Sequence, residues 1–587
     1  ETEIHAIMEE FGLPWVFPAE VEAEAAQIPL ALDPLEIARR RDLRGTLTFT
    51  IDPVDAKDFD DALSIRPLQD GLWEVGVHIA DVTHYVRPGS KLEAEAIERA
   101  TSVYLVDRVV PMLPEILSNQ VCSLRPHEDK YTFSAIFAMD ESGTVHERWF
   151  GRTVIHSDRR FAYEEAQSIL EGDSDPLADD LLRMNRMAKA LRAARMNDGA
   201  IGFDRAEVKF RLDANNQPIG AYVKEAKDSN KLIEEFMLLA NREVAVFAGG
   251  KKPGAKTKNV ARTMVYRIHD HPDPMKLIAL SQFVRPLGYQ MQVDSPGNVR
   301  KSINELLRQV KGTPEANMLE TLTVRTMAKA VYGTANVGHY GLAFDDYTHF
   351  TSPIRRYPDM LVHRLLQDCL DGKPAPKAEA LEELCQHSSL REQNAADAER
   401  SSVKYMQAVY MEQFVGESFD GIISGVTDWG VFVEVAETAC EGLVRLREFR
   451  DDYYSVDSER HCLVGERTGR EYRLGDPLRI TVKEVDVVRK TIDFSTANER
   501  GSSSRSDQWR ESSGPSARSN SPTRDRYDET RPTEAGSRFS SPRPTGSGGG
   551  RPGFGSDRKP GGPGASKGSG SGHRKGPNST AAKKKRR

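Results

Sequence analysis

Five aspartates fall within ten consecutive residues of the stretch "TIDPVDAKDFDDALSI": Asp52, Asp55, Asp58, Asp60 and Asp61, offset only by Lys57. Carboxylates this close repel, and each raises its neighbours' pKa. Thr50 and Ile51 precede the acids, while Ala62, Leu63 and Ile65 follow them. The cluster therefore belongs at the ends of strand-like segments rather than in a polar tract. A calcium loop of the EF-hand kind needs a central Gly and an acid at its twelfth position. Counted from Asp52, Asp55 or Asp58, the twelfth position is Leu63, Arg66 or Gln69, and the stretch holds no Gly. A solvated loop and a catalytic magnesium site remain. On an extended backbone Asp58 and Asp60 point the same way, roughly 6–7 Å apart, and Asp61 faces oppositely unless the chain bends. Two metal ions about 4 Å apart suit in-line phosphoryl displacement. Mg²⁺ takes oxygen ligands and keeps some waters, so a few Asp side chains suffice. In "GVHIADVTHYV", His78, Asp81 and His84 are further possible ligands, but a spacing of three does not align them on one strand face. Hydrogen-bonding roles are expected for them.

The pattern around the cluster predicts an α+β chain. Residues 1–43 read as a polar helical lead-in, with "EIHAIMEEFG" and "PAEVEAEAAQI" as helices split by prolines. "WEVGVHI" and "YTFSAIFA" alternate with period two and predict half-buried strands. "PLADDLLRMNRMAKALRAARMNDG" places Leu181, Leu182, Met184, Met187, Leu191 and Ala194 on a helical stripe that Gly199 can end, with the methionines as core filler. "SNKLIEEFMLLANREVAVFA" is a second helix, with Ser229 as candidate cap. "GTPEANMLETLTVRTMAKAVY" is a third, opening at Thr313 and Pro314. No linker-like break interrupts the region 44–412, which reads as one large domain. Residues 416–497 turn β-branched and Gly-punctuated, the pattern of a small barrel. From 498 the chain is rich in Ser, Gly, Pro and Arg, ends in "KKKRR", and is expected to be a disordered basic tail.

Charge divides along the same line. From Arg500 onward there are 20 Lys and Arg against 7 Asp and Glu. Residues 1–499 therefore carry −20 of a net charge of −7. An acidic body with a basic tail fits a nucleic-acid partner or a solubilising extension. The 5 cysteines are far apart and form no C-x-x-C pair, which predicts reduced thiols in a cytoplasmic protein. No apolar run of roughly 18 residues suggests a membrane span, and no signal peptide is visible. A first residue that is Glu suggests a processed or truncated chain.

Three long stretches then carry a resemblance: "TIDPVDAKDFDDAL"; "HIADVTHYVRPGSKLEAEAIERATSVYLVDRVVPMLPEILSNQVCSL"; and "HFTSPIRRYPDMLVHRLL". In this order they resemble the RNB domain of the ribonuclease II/R family of processive 3′→5′ exoribonucleases. "GESFDGIISGVTDWGVFVEV…EGLVRL" is similar to the S1-type RNA-binding barrel (an OB-fold) that follows RNB in that family, and the basic tail favours the ribonuclease R branch. The resemblance implies that Asp52, Asp58, Asp60 and Asp61 hold Mg²⁺, with Asp60 most directly tied to cleavage. It implies that Tyr163 lies near the scissile phosphate and that Arg355 holds it, a task suited to the planar fork of arginine and open to Arg356 as well. Tyr104 and Phe203 resemble the aromatics that clamp bases at the 3′ end, where stacking tolerates any sequence. Glu399 resembles an acid that contacts the terminal ribose. In the barrel, Phe419, Trp429 and Phe432 are the expected RNA-facing aromatics, Trp429 standing where Phe is more usual.

The implied activity is Mg²⁺-dependent hydrolysis of single-stranded RNA with a free 3′ end, with structured RNA as a further candidate substrate, to nucleoside 5′-monophosphates, in RNA turnover and quality control. A phosphorolytic route would need a phosphate pocket, and no Gly-rich phosphate loop is present. The family resemblance suggests a monomer. The alternative is an RNA-binding adaptor with an inactive RNB fold, against which stand the four acids and Arg355. The family normally carries two cold-shock barrels before RNB, and residues 1–43 are too short for one. The segment "DDYYSVDSERHCLVGERTGREY" is expected to loop out of the barrel.

Overall fold

The computed structural model describes residues 2–202, 207–249, 262–313, 316–457, 460 and 462–497. The expected tail lies outside them, as do Phe203 and Pro314. Three short helices, Thr2–Glu10, Ala19–Ala25 and Pro34–Ile37, form the expected helical lead-in, and four strands follow: β1 (Arg41–Asp42), β2 (Thr48–Asp52), β3 (Asp61–Pro67) and β4 (Trp73–Ala80). A short hairpin follows, β5 (Val103–Tyr104) and β6 (Val109–Val110), then β7 (Asp129–Met139), β8 (Val145–His156) and β9 (Arg159–Ala162). All but the hairpin form one seven-stranded sheet, ordered β1-β8-β7-β4-β3-β2-β9. Its inner pairs are antiparallel, while β1 on β8 and β9 on β2 are parallel.

The two predicted strands are present, but they are buried on both faces rather than half-buried. The face left to polar residues is satisfied internally. His78 bonds to Ser134 Oγ through Nδ1 (2.7 Å) and to Ser64 Oγ through Nε2 (2.8 Å). Ser134 continues the row to Thr153 (2.6 Å) and Thr153 to Thr132 (2.5 Å). Burial pushes the His78 imidazole down to about 3, so it stays neutral between two hydroxyls. Gly76 pairs with Ser64 in this row, where a Cβ would collide with the Ser64 hydroxyl and the His78 ring.

Helices Tyr163–Leu170, Ala178–Asn197, Asp228–Ala248 and Tyr357–Leu370 share one apolar core with the sheet. Leu181, Met184 and Met187 are buried there, as their stripe predicts, whereas Leu182 and Ala194 of the same stripe are exposed. The second helix begins at Asp228, so Ser229 is not its cap; its buried N–H donates instead to Gln167 Oε1 (3.0 Å). Further strands form two small pairs, β10 (Glu207–Leu212) with β11 (Pro218–Lys224) and β12 (Tyr266–Ile268) with β13 (Val331–Gly333). The third predicted helix spans only Ala316–Thr326. It stops early because Val331–Gly333 is taken into pairing with β12.

The barrel is closed: β14 (Ser418–Thr427), β15 (Gly430–Val435) and β16 (Glu441–Arg445) are followed, after an insertion, by β20 (Pro477–Asp486) and β21 (Thr491–Thr496), in the order β14-β15-β16-β21-β20. The insertion does not merely loop out. It folds into an antiparallel sheet of β17 (Tyr454–Asp457), β18 (Cys462–Gly465) and β19 (Glu471–Arg473). Tyr454 and Tyr472 pack with Phe449, ring centroids 4.7–5.4 Å apart, which supplies the core that a polar loop lacks. Helices Pro274–Val284, Pro296–Val310 and Ala316–Thr326 join the barrel in a second apolar cluster.

Candidate active site

The acids gather where β2 ends and β3 begins. Asp52 closes β2 opposite Ala162 of β9, so Tyr163, at the start of the next helix, comes to the same end of the sheet. The T-shaped contact of Phe49 with Phe161 (5.6 Å) fixes that pairing. Asp61 opens β3 opposite Ile79, and the Ala80 N–H donates to the Asp60 carbonyl (2.8 Å). Asp52, Asp60 and Asp61 are buried and Asp58 is half-buried.

The segment "HFTSPIRRY" comes to this end from far along the chain. The Ile354 N–H donates to Asp60 Oδ1 (2.9 Å), and Arg355 Nε lies 3.6 Å from Asp60 Oδ2. Arg355 Nη2 also donates to Ser352 Oγ (3.1 Å). Burial holds the Asp60 carboxyl well above the ordinary carboxylate range; Arg355 and the Ile354 N–H oppose this, while Asp58 and Asp61 add to it. Arg356 does not share the task expected of it. Its guanidinium is buried and forks onto Asp359, with 2.9 Å from Nε to Oδ2 and 2.8 Å from Nη2 to Oδ1. Arg355 lies in the turn just before it and turns its guanidinium to Asp60, while Arg356, on extended backbone, turns to Asp359.

Two ties flank the acid loop that its own residues do not announce. Ser123 Oγ accepts the Phe59 N–H (3.0 Å) and donates to the Lys57 carbonyl (2.7 Å). Arg160 donates to the carbonyls of Pro53 and Val54. Both partners lie far away in sequence, and no local spacing signals them. His78, Asp81 and His84 take hydrogen-bonding roles, as expected. Asp81 is buried between Arg40 and Arg152. Despite the opposing effect of burial, those two cations keep its carboxyl well below the ordinary range. His84 accepts from Arg40 through Nδ1 (3.1 Å), and burial lowers it to about 4.

Tyr104 shares a frame with Arg355. The Ser102 N–H donates to the Arg355 carbonyl (3.0 Å), and the Tyr357 N–H to the Ala100 carbonyl (2.9 Å). Val103 points into a core with Ile4, Ile7 and Tyr405, so Tyr104 faces away from it. Glu399 lies on the long helix Ala378–Glu412, one turn before Ser402. Ser402 Oγ donates to the Glu399 carbonyl (2.8 Å) and accepts the Val106 N–H (3.3 Å), bringing that turn beside the Tyr104 strand. The β20–β21 turn docks on the same side: Val487 packs on this core, and Lys490 Nζ reaches Ser401 Oγ (2.7 Å) and Glu10 Oε2 (3.0 Å).

On the barrel, Trp429 is 64% exposed at the tip between β14 and β15. Gly430 there has φ +147°, and a Cβ would strike the Val444 carbonyl. Phe432 is half-exposed while its neighbours Val431 and Val433 point inward. Phe419 differs from the expectation: it packs edge-on against Phe414 (5.7 Å) beside the barrel core, because it shares a strand face with the inward Ile423.

Among the described residues no three His, Cys, Asp or Glu side chains form a ready ligating group. Mg²⁺ does not require one, since it commonly takes one or two carboxylates and fills its remaining positions with water and phosphate oxygens. The donor set is all carboxylate, and burial, with Asp58 and Asp61 adding to it, disfavours the charged form of Asp60, an effect that a bound cation would offset. Asp52, Asp58, Asp60 and Asp61 thus fit Mg²⁺ in chemistry.

The comparisons with known proteins agree with this architecture. The RNB domain matches residues 40–372 and the S1 RNA binding domain residues 412–497. Ribonuclease R of Aquifex aeolicus is 39% identical over 84% of this chain and 70% of its own length. Ribonuclease R 1 of Lactococcus lactis is 40% identical over 81% of this chain and 59% of its own length. The structure of Mycoplasma genitalium RNase R in complex with ribose methylated single-stranded RNA superposes with a TM-score of 0.77 at 29% identity, covering 84% of this chain and 77% of that one. With an RNB domain over more than half its length, an S1 domain behind it, and these relatives along both, the chain belongs to the ribonuclease R family.

Proposed function

We propose that this chain is a processive, hydrolytic 3′→5′ exoribonuclease that uses Mg²⁺ and releases nucleoside 5′-monophosphates in RNA turnover. The observation that carries the reading is the meeting of Asp60 with Ile354 and Arg355, which places a half-buried guanidinium beside a crowded carboxylate group at one end of the sheet. Arg355 holds a phosphate oxygen by its fork and exchanges Asp60 for it as substrate enters. Asp52, Asp58, Asp60 and Asp61 would hold Mg²⁺, which supplies Lewis-acid polarisation of the phosphate and a lowered pKa for attacking water. Tyr163, buried at the start of the helix that follows Ala162, the strand partner of Asp52, orients the phosphate. Tyr104 stacks on a base near the 3′ end, and Glu399 accepts from the terminal ribose hydroxyls that distinguish RNA from DNA. Trp429 and Phe432 on the barrel offer further stacking surface to incoming single strand.

Support for RNA as substrate comes from the family and from the RNA-bound structure of the Mycoplasma genitalium relative. The test is digestion of a 3′-labelled RNA with Mg²⁺ and then with EDTA. Labelled nucleoside 5′-monophosphate should appear only with Mg²⁺. Binding of RNA without any release in Mg²⁺ would make the chain an adaptor instead.

A further inference from the structure

Ser123 is fully buried, and it reaches the acid loop from a segment distant in sequence. A hydroxyl accepts and donates at once, and Ser123 Oγ does both here: from the Phe59 N–H at 3.0 Å and to the Lys57 carbonyl at 2.7 Å. The next residue extends the tie, since the Leu124 N–H donates to the Phe59 carbonyl at 2.9 Å. These bonds grip the peptide groups on both sides of Asp58. Phe59, the residue between Asp58 and Asp60 in sequence, is buried.

We infer that Ser123 is a positioning residue that presets Asp58 and Asp60 for Mg²⁺, an inference that rests on the Mg²⁺ reading above. Carboxylates that repel one another drift apart on a loose backbone. A loop pinned around Asp58 keeps their spacing before a cation arrives, so binding does not have to order it. Arg160 ties the other flank at Pro53 and Val54, with its guanidinium carbon 5.5 Å from the Phe59 ring centre. Removing Arg160 would change charge and geometry together. Ser123 acts without charge, so its variants isolate geometry. Hydrogen-bonding groups behind metal ligands commonly matter about tenfold or more in metal affinity.

The experiment titrates Mn²⁺, which shares the oxygen-ligand preference of Mg²⁺, into EDTA-stripped, RNA-free full-length chain, with free Mn²⁺ read by electron paramagnetic resonance. Wild type, Ser123→Ala, Ser123→Thr and Asp60→Asn are compared after each shows wild-type circular dichroism. Ser123→Ala should bind Mn²⁺ about tenfold more weakly, and Ser123→Thr, which keeps the hydroxyl, should recover most of that loss even where its extra methyl lowers the melting temperature. If Ser123→Ala does not accumulate folded, Ser123→Cys fills the same space with a weak hydrogen-bonding group and reads the same loss. A Ser123→Ala chain that melts lower yet binds Mn²⁺ like wild type overturns the inference and leaves Ser123 a purely structural residue. If Asp60→Asn also binds like wild type, the Mg²⁺ reading itself falls, and the role of Ser123 with it.

Discussion

Asp60 accepts a peptide N–H on one oxygen and faces a guanidinium with the other, yet burial beside Asp58 and Asp61 still favours its protonated form. Two outcomes follow for Asp60→Asn, which keeps size and removes charge. Cleavage should fall by about a hundredfold or more, about 2.7 kcal/mol in the barrier. RNA affinity should stay equal or rise, because the assigned RNA contacts lie on other residues and repulsion of phosphate falls. Single-turnover cleavage and equilibrium binding on one labelled RNA check this; near-normal cleavage removes Asp60 from the chemistry. The second outcome concerns stability without metal. A carboxyl whose folded pKa exceeds its unfolded one binds its proton more tightly in the folded chain, so folding loses stability as pH rises from the ordinary carboxylate range through the raised value. In EDTA, Asp60→Asn should therefore melt above wild type, with a gap that is absent in acid below that range and widens as pH rises through it. A variant that melts lower at every pH would show that the contacts with Ile354 and Arg355 outweigh burial. The acids were legible because they are contiguous and crowded. The choice between Arg355 and Arg356 was not, since a turn separates their directions and only the partners Asp60 and Asp359 decide which goes where.

The elements show a similar division. Period-two alternation located β4 and β7, but their second faces are buried too, because His78, Ser64, Ser134 and Thr153 satisfy one another. Polar residues at alternate positions read as solvent-facing unless their partners on neighbouring strands are known. The barrel insertion misled for a related reason: its apolar residues are sparse, and only pairing of β18 with β17 and β19 gathers Tyr454 and Tyr472 on Phe449. At this scale the hairpin β5–β6 carries a prediction. It is stitched to Arg355 through Ser102 and to the long helix through Val106 and Ser402, so Tyr104 is held on a fixed platform relative to the acids. Tyr104→Ala should cost about 1–3 kcal/mol of stacking. A long RNA retains contacts elsewhere and should be degraded at close to the normal rate. A short one depends on Tyr104, so the residual oligonucleotide should lengthen. End products of wild-type length on a sequencing gel would return Tyr104 to a packing role.

At the scale of the whole molecule, the order of domains was legible because composition changes along the chain: the RNB match ends at residue 372, the S1 match begins at 412, and the barrel ends where Ser, Gly and Pro take over. What joins the domains was not legible. The β20–β21 turn reaches Glu10 and Ser401 through Lys490, contacts between segments from opposite ends of the folded chain. Beyond the barrel, residues 500–587 hold 20 Lys and Arg against 7 Asp and Glu, on a body that is acidic overall. An RNA backbone approaching that body meets net repulsion except at local sites such as Arg355. A basic tail would offset this, since each Lys or Arg that neutralises a phosphate releases counterions. Removing residues 500–587 should thus weaken binding mainly at low salt. On single-stranded RNA each lost phosphate contact removes about 0.7 from the slope of log affinity against log salt, so losing three or more should flatten it by about 2. Cleavage of a short RNA already seated at the acids should hardly change, because no assigned catalytic group is removed. Binding measured across a salt series for full-length and shortened chains, with single-turnover cleavage beside it, separates the roles: an unchanged slope would leave the tail as a solubilising extension, whereas a flattened slope with intact cleavage makes it an electrostatic collector of RNA for the domains ahead of it.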